Sequence, residues 1–377
     1  MKPKRVFIIA AKRSTVAPRG GCLKNLNYDS IAKFILQSCI KQARLELSEI
    51  DSLIVSNAMG GGGNPARRCA LAAGLPDSVE TLSIDHQCVG GLDAIILAKQ
   101  KIETGKANVV IAGGSESTSL MPRRFYKKKW SDPYRFVERP SFFPKDNSEL
   151  SIAYSVNKLA VEQNITSQMQ ERWTSLSHQK ALINKPYLHK EIHLFDKNQQ
   201  IDPYARMITN DLYSRSKKII GTINTCNTAP YADAAAFVVV VSEKIWTQKK
   251  LPFALEILET HTLGGHPQEF VLLPAKVIKT IIDRRNFTIK NISHLELMEA
   301  FAAQALLTHK ELEIDLDCVN RSGGALARGH PIGASGAILM VRLFYELKKK
   351  NGIGLAAIAG VGGLASGILT LGCQPLP

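Results

Sequence analysis

The chain has 377 residues, a formal net charge of +15, 45% hydrophobic residues and 21% charged residues. That length and balance suit two globular domains, or one large duplicated one, and exclude a disordered chain. No apolar run approaches the roughly 18 residues of a membrane span. Seven cysteines at irregular spacing, with no Cys-x-x-Cys pair, argue against a disulfide scaffold and against a zinc site. The apolar run Val6 to Ala11 is too short for a secretory signal and is closed at once by Lys12-Arg13, so a reduced, cytoplasmic protein is expected. The excess positive charge is compatible with nucleic acid, an acidic membrane surface or a polyphosphate-bearing substrate.

In chain order, Arg5 to Ala11 reads as a first strand and Tyr28 to Leu45, with Ile31, Phe34, Ile35 and Ile40 at helical spacing, as a helix. Ile50 to Ser56 is a second strand ended by Gly60 to Gly63, and Asn64-Pro65 opens a helix through Ala73 with proline early, where its missing N–H costs nothing. The stretch Leu82 to Ser119 reads as a short strand, a cysteine, a glycine pair, an amphipathic helix and an apolar strand ending in Gly113-Gly114. Alternation of this kind predicts an α/β layer with a mainly parallel sheet.

From Leu120 to about Gly221 the pattern changes to prolines, aromatics and charges, with helices expected over Ser148 to Gln163 and Gln168 to Leu182. This reads as an excursion between core elements, a lid or substrate-covering region. Its basic cluster, Arg123-Arg124-Phe125-Tyr126-Lys127-Lys128-Lys129-Trp130, is compatible with a nucleic-acid patch and equally with a solvated loop. The core resumes with strands at Ala232 to Ser242 and Leu251 to Thr260, a helix at Pro274 to Asp283 and a strand-to-helix passage over Leu295 to Thr308.

The last 60 residues or so echo the earlier stretch: glycines, amphipathic helix, glycine, apolar strand, glycines. Gly91 lies 21 positions before Ala112, and Gly336 lies 23 before Ala359, so two halves of shared topology are expected. Cys88 stands where a strand hands over to a helix, where free N–H groups and the helix dipole favour a thiolate; packing alone would also account for a cysteine there. Gly329-His330-Pro331 occupies the pseudo-equivalent place in the second half. If the halves pack face to face, His330 meets Cys88 as a base for acyl transfer; otherwise it is a turn histidine bonded to backbone.

The segments VFIIAAKRS, GGGGNPARRCALAAGLP, IDHQCVGGLDA, AGGSESTS, GTINTCNTAPYADAAA, MEAFAAQAL and NRSGGALARGHPIGASGA together resemble the thiolase family over nearly the whole chain. The resemblance implies a five-layered αβαβα fold of two similar halves, residues 1–245 and 250–377, with a loop domain inserted at about 120–221. It implies an acyltransferase of the acetyl-CoA C-acyltransferase kind, active in lipid metabolism. Coenzyme A thioester is then the substrate, no cofactor is permanently bound, and the chain forms a homodimer, homotetramer or hetero-oligomer. Cys88 becomes the acyl acceptor and His330 its base. The backbone N–H groups of Cys88 and Val361 form an oxyanion hole. Arg123, Arg124, Asn227, Ala229, Ala300 and Phe301 face the coenzyme, which leaves little room for a nucleic-acid role.

Three places depart from the family pattern. Its second, proton-shuttling cysteine aligns with Ala359, whose methyl group cannot move a proton. The asparagine of its Asn-Glu-Ala-Phe motif is Met298, which offers no donor. Its pantetheine-contacting serine is Ala229, and Gln268 to Leu272 replace a glycine-rich loop. Acylation of Cys88 is therefore expected to survive while condensation and thiolysis weaken. A non-catalytic partner subunit and an acyl-CoA hydrolase are the alternatives.

Overall fold

A computed structural model describes residues 4–137, 142, 151–196 and 199–374. Its principal strands are β1 (Val6–Ser14), β2 (Ser52–Ser56), β3 (Glu80–Ile84), β4 (Val109–Glu116), β5 (Ala232–Ser242), β6 (Ala254–Gly264), β7 (His294–Leu297), β8 (Ile353–Gly360) and β9 (Leu364–Cys373). The helices that matter are α1 (Tyr28–Ala43), α2 (Pro65–Ala73), α3 (Gly90–Glu103), α4 (Ile152–Glu162), α5 (Ser167–Asn184), α6 (Leu273–Arg284), α7 (Ala302–Leu312) and α8 (Ser335–Lys349). The expected helix start at Ser148 to Glu149 lies outside the described residues; the helix itself begins at Ile152, capped by the Ser151 hydroxyl accepting from the Tyr154 N–H.

The strands run in the order β7-β8-β9-β6-β1-β5-β4-β2-β3. Each half repeats one pattern. In the first, β2 is parallel to β4, and β4, β5 and β1 follow antiparallel. In the second, β7 is parallel to β8, and β8, β9 and β6 follow antiparallel. The two join through a short antiparallel contact, Phe7 with Glu256 and Ile8 with Leu255. The parallel pairing expected from the first 120 residues or so holds where β2 meets β3 and β4, while the sheet as a whole is mixed. Parallel strands need a crossover connection, but β8 returns as β9 through the tight Val361–Gly363 turn, which forces antiparallel pairing.

Burial on both faces explains the near-continuous apolar strands, and the period of two sorts their side chains between layers. Phe7, Ile9, Val109, Ile111, Phe237 and Val239 pack outward beneath α1 and α2. Their neighbours Ile8, Val110, Val238 and Val240 point inward to a layer holding α3 and α8. Leu355, Ala357 and Leu369 face α6 and α7 on the far side, together with Val156, Leu159 and Trp173 of the excursion. Three helical layers around two sheet halves make five, the αβαβα arrangement.

Glycine decides how closely the two central helices meet. A Cβ on Gly91 would lie 2.8 Å from both the Gly333 carbonyl oxygen and the Ala337 nitrogen, so the helix starts touch backbone to backbone. The repeated glycines of the two halves are the two sides of that contact.

The first strand runs past its expected end. Lys12-Arg13 does not close it, because Arg13, fully buried, donates to Asp202 at 2.9 and 2.8 Å and to Glu191 at 2.7 Å. Glu191 also pairs with the buried Arg342. Charges survive burial only when paired this way. Glu191→Ala would leave two guanidinium groups short of a partner and is expected to cost about 3–5 kcal/mol. Thermal unfolding measures it, and an unchanged midpoint would contradict the role assigned to the network.

Candidate active site

A single helical turn, Gln87–Val89, precedes α3, and Gln87 takes a positive φ of 49° to make the handover from β3. This turn presents the Cys88 sulfur, 8% exposed, toward the second half. His330 follows the short helix Ala325–Arg328, and its backbone N–H donates to the Pro230 carbonyl at 2.7 Å. Cys88 Sγ and His330 Nε2 stand 3.1 Å apart. Residues 242 positions apart in sequence thus form one thiol–imidazole pair at the junction of the two central helices.

Ser335, which the sequence reading did not single out, orients the imidazole. His330 Nδ1 and the Ser335 hydroxyl stand 2.6 Å apart; with the ring proton on Nδ1 the hydroxyl accepts it, and Nε2 is left to accept the thiol proton. Its only signal in sequence is a place five residues after the histidine, at the first turn of α8.

The electrostatics correct one expectation. Cys88 is not a resting thiolate: burial pushes its thiol up to about 12, against the opposing pull of the backbone N–H groups of Val361 and of Cys88 itself. Burial likewise pushes His330 down to about 3. The dipole and N–H groups of a helix start favour the anion, but removal from water costs more here. The pair rests as neutral thiol and neutral imidazole.

A second carboxylate braces the site. Glu116, fully buried at the end of β4, accepts from the N–H groups of Ala58 at 3.0 Å, Met59 at 3.1 Å and Gly333 at 3.0 Å, and from the Asn57 amide at 2.9 Å. Burial pushes it up to about 7, although every contact is a donor and favours the ionised form. It ties the Ala58–Met59 loop to the Gly333 turn that carries His330. Glu116→Gln turns an NH₂ toward N–H donors and is expected to cost about 2–4 kcal/mol and to slow Cys88 acylation. Calorimetry and adduct formation read both effects; wild-type values in both would rule the brace out.

The coenzyme-facing candidates divide. Ala229 donates its N–H to the Ala300 carbonyl at 3.0 Å, and Thr228 pairs with Phe301, so Ala229, Ala300 and Phe301 form one short ladder beside Pro230 and His330. Asn227 belongs to that ladder through its backbone, but its buried amide is used internally. It donates to Gln170, Tyr213 and Thr222, each at 2.9 Å, and accepts from the Asn224 N–H at 2.8 Å. That side chain holds its own loop. Arg124 donates to the carbonyls of Met59 and Gly60 at 3.2 and 3.4 Å, while Arg123 is exposed on the hairpin formed by Arg124–Tyr126 and Arg135–Val137. Ala359 and Met298 are both buried, at 4% and 1% exposure. Glu299, next to Met298, accepts from Trp173, Ser177 and Asn320 and so pins α5 to the second half.

Among the described residues no group of three or more histidine, cysteine or acidic side chains could hold a metal ion, and no helix is long and apolar enough to cross a membrane.

Residues 6–244 match the family model "Thiolase, N-terminal domain" and residues 251–371 match "Thiolase, C-terminal domain". The chain belongs to the thiolase family. This thiolase-family chain is 32% identical over 374 residues to a Staphylococcus epidermidis protein named "Putative acetyl-CoA C-acetyltransferase VraB", covering 96% of each. A Staphylococcus aureus protein of the same name is 33% identical over 376 residues, covering 95% of this chain and 97% of the relative. Among solved structures, the Bacillus anthracis acetyl-CoA acetyltransferase is similar at a TM-score of 0.90 and 29% identity, covering 98% of this chain and 99% of that one. The Acat5 thiolase from Ascaris suum, solved in complex with coenzyme A, is similar at 0.88 and 29%, covering 98% and 100%. Thiolases act on coenzyme A thioesters without a permanently bound cofactor.

Proposed function

We propose that this chain is an acyltransferase that carries an acyl group from a coenzyme A thioester, or a carrier-bound one, on Cys88. The observation that supports this most is the 3.1 Å contact between Cys88 Sγ and a correctly oriented His330 Nε2. His330 takes the thiol proton as sulfur attacks the thioester carbonyl carbon. The oxyanion that forms is held by the N–H groups of Cys88 and Val361, which already point at the sulfur. Collapse breaks the bond to the coenzyme sulfur, and the departing thiolate recovers the proton from the imidazolium. Arg123, and the ladder of Ala229, Ala300 and Phe301, are proposed to face the coenzyme.

The carbon–carbon step is proposed to be weak. It needs a group at the α-carbon that exchanges a proton and a donor for the enolate oxygen. Ala359 offers a methyl group and Met298 a thioether. Transfer to water or to another acceptor fits these residues better than condensation. The chain is further proposed to act as a homo-oligomer in the cytoplasm.

Intact-mass spectrometry after incubation with a panel of acyl-CoAs tests the reading. The expected result is one acyl adduct per chain, lost in Cys88→Ala. No adduct with any chain length would favour a non-catalytic partner subunit. Free coenzyme A released over many turnovers, beyond one equivalent per chain and without a condensed product, would assign the hydrolase.

A further inference from the structure

A cavity of about 720 Å³ lies at the far end of α8 from the thiol–imidazole pair. Lys348 is 13 residues beyond Ser335, about 20 Å along the helix at 1.5 Å per residue. Six cations line it, Lys12, Lys41, Lys190, Lys348, Lys349 and Arg342, against one acid, Glu191. That acid is already spent on Arg13 and Arg342. Among the described residues Lys41, Lys190 and Lys348 have no acidic partner. Lys349 is shared between Glu346 at 3.4 Å and the Tyr187 ring at 5.4 Å.

The walls are built rather than incidental. Tyr345 donates to the Ala11 carbonyl at 3.1 Å and accepts from Gln42 at 3.2 Å, so its ring is fixed; Lys12 lies over it at 5.8 Å and donates to the Lys190 carbonyl at 2.5 Å. Arg342 is 1% exposed and keeps its Nε without an acceptor. Burial, with Lys348 nearby, holds the Lys12 ammonium below its ordinary range, which is the cost of gathering like charges around one concavity. A concave wall of one sign focuses the field and draws counter-charge. A carboxylate would offset one of these cations; linked phosphates offset several at once. The volume is of the size that takes a small ligand.

We propose that this cavity binds a small anion of linked phosphate groups, as in a polyphosphate chain or the phosphate tail of a nucleotide, at a site separate from Cys88. Its lysines hold the phosphates as point charges, and the fixed ring of Tyr345 holds Lys12 among them.

Titration calorimetry at physiological salt, with saturating coenzyme A present to fill the substrate site, tests this with tripolyphosphate, ATP and adenosine. The expected result is saturable binding of one tripolyphosphate and one ATP per chain and none of adenosine. Equal affinities would assign the phosphates alone, and tighter ATP would add a contact to the base; both support the site. Lys41→Glu/Lys348→Glu is expected to weaken binding by about tenfold or more, and the single change Lys190→Gln by a few-fold. Both alter exposed side chains, and unchanged thermal midpoints verify folding. Lys128→Glu/Lys129→Glu in the other basic cluster should leave binding intact. Loss of binding in that hairpin variant, displacement by coenzyme A, or wild-type affinity in both cavity variants would overturn the proposal.

Discussion

Cys88→Ala is expected to abolish the acyl adduct and to lower acyl-CoA turnover on the order of 10⁴-fold or more, because among the described residues it is the Cys88 sulfur that bonds to His330 Nε2. His330→Ala keeps the sulfur but removes its proton acceptor. With the thiol pushed up to about 12, almost none ionises unaided at neutral pH, and a loss of about 10²–10⁴-fold is expected. The same balance gives the pH profile. His330 is pushed down to about 3, so between that value and the thiol's both groups are neutral. The proton moves within the pair during attack. Acylation is therefore expected to stay flat from about pH 5 to about pH 9. Stopped-flow release of free coenzyme A measures it. A tenfold rise per pH unit through neutrality would mean a pre-formed thiolate and would overturn the neutral-pair assignment.

The second large effect is a gain. Ala359 is the penultimate residue of β8, just before Gly360 and the turn at Val361, whose N–H acts on the Cys88 sulfur, and Met298 leads into the Ala300–Phe301 ladder beside His330. Installing a thiol and an amide, Ala359→Cys with Met298→Asn, supplies the proton carrier and the donor that we propose the carbon step lacks. Acetoacetyl-CoA thiolysis is expected to rise by about 10²–10⁴-fold over the parent chain. Both positions are buried, so the changes carry a packing cost of about 1–3 kcal/mol that thermal unfolding will register. A folded double variant with no gain, or a parent chain already fast in thiolysis, would show that neither residue limits the reaction.

Much of the fold was legible in the residues. The apolar runs at Val109 to Ala112 and Ala232 to Ser242 could only be strands buried on both faces. The glycine echo around Gly91 and Gly336 foretold two halves of shared topology, as the repeated strand pattern has it. Strand direction was not legible in the same way. Whether β8 returns antiparallel depends on a three-residue turn, while the local pattern of alternating helix and strand suggested parallel pairing. The end of the first strand, expected at Ala11, was not legible for a related reason. The strand continues through Arg13 because acids from distant segments, Glu191 and Asp202, come to meet it.

By itself the sequence determined the chemistry available: one thiol at a strand-to-helix handover, one histidine in a glycine-rich turn, and a methyl and a thioether at Ala359 and Met298, where we propose the carbon step would need polar groups. Such identities are local, and no packing can change them. The tertiary structure decided what those groups do. It brought sulfur and imidazole to 3.1 Å, supplied Ser335 to fix the ring, and set Asn227 to holding its own loop. It also removed Cys88 from water, so that the helix start expected to make a thiolate holds a neutral thiol instead. Desolvation and hydrogen-bond pairing depend on segments hundreds of residues apart, and for that reason neither can be read along the chain.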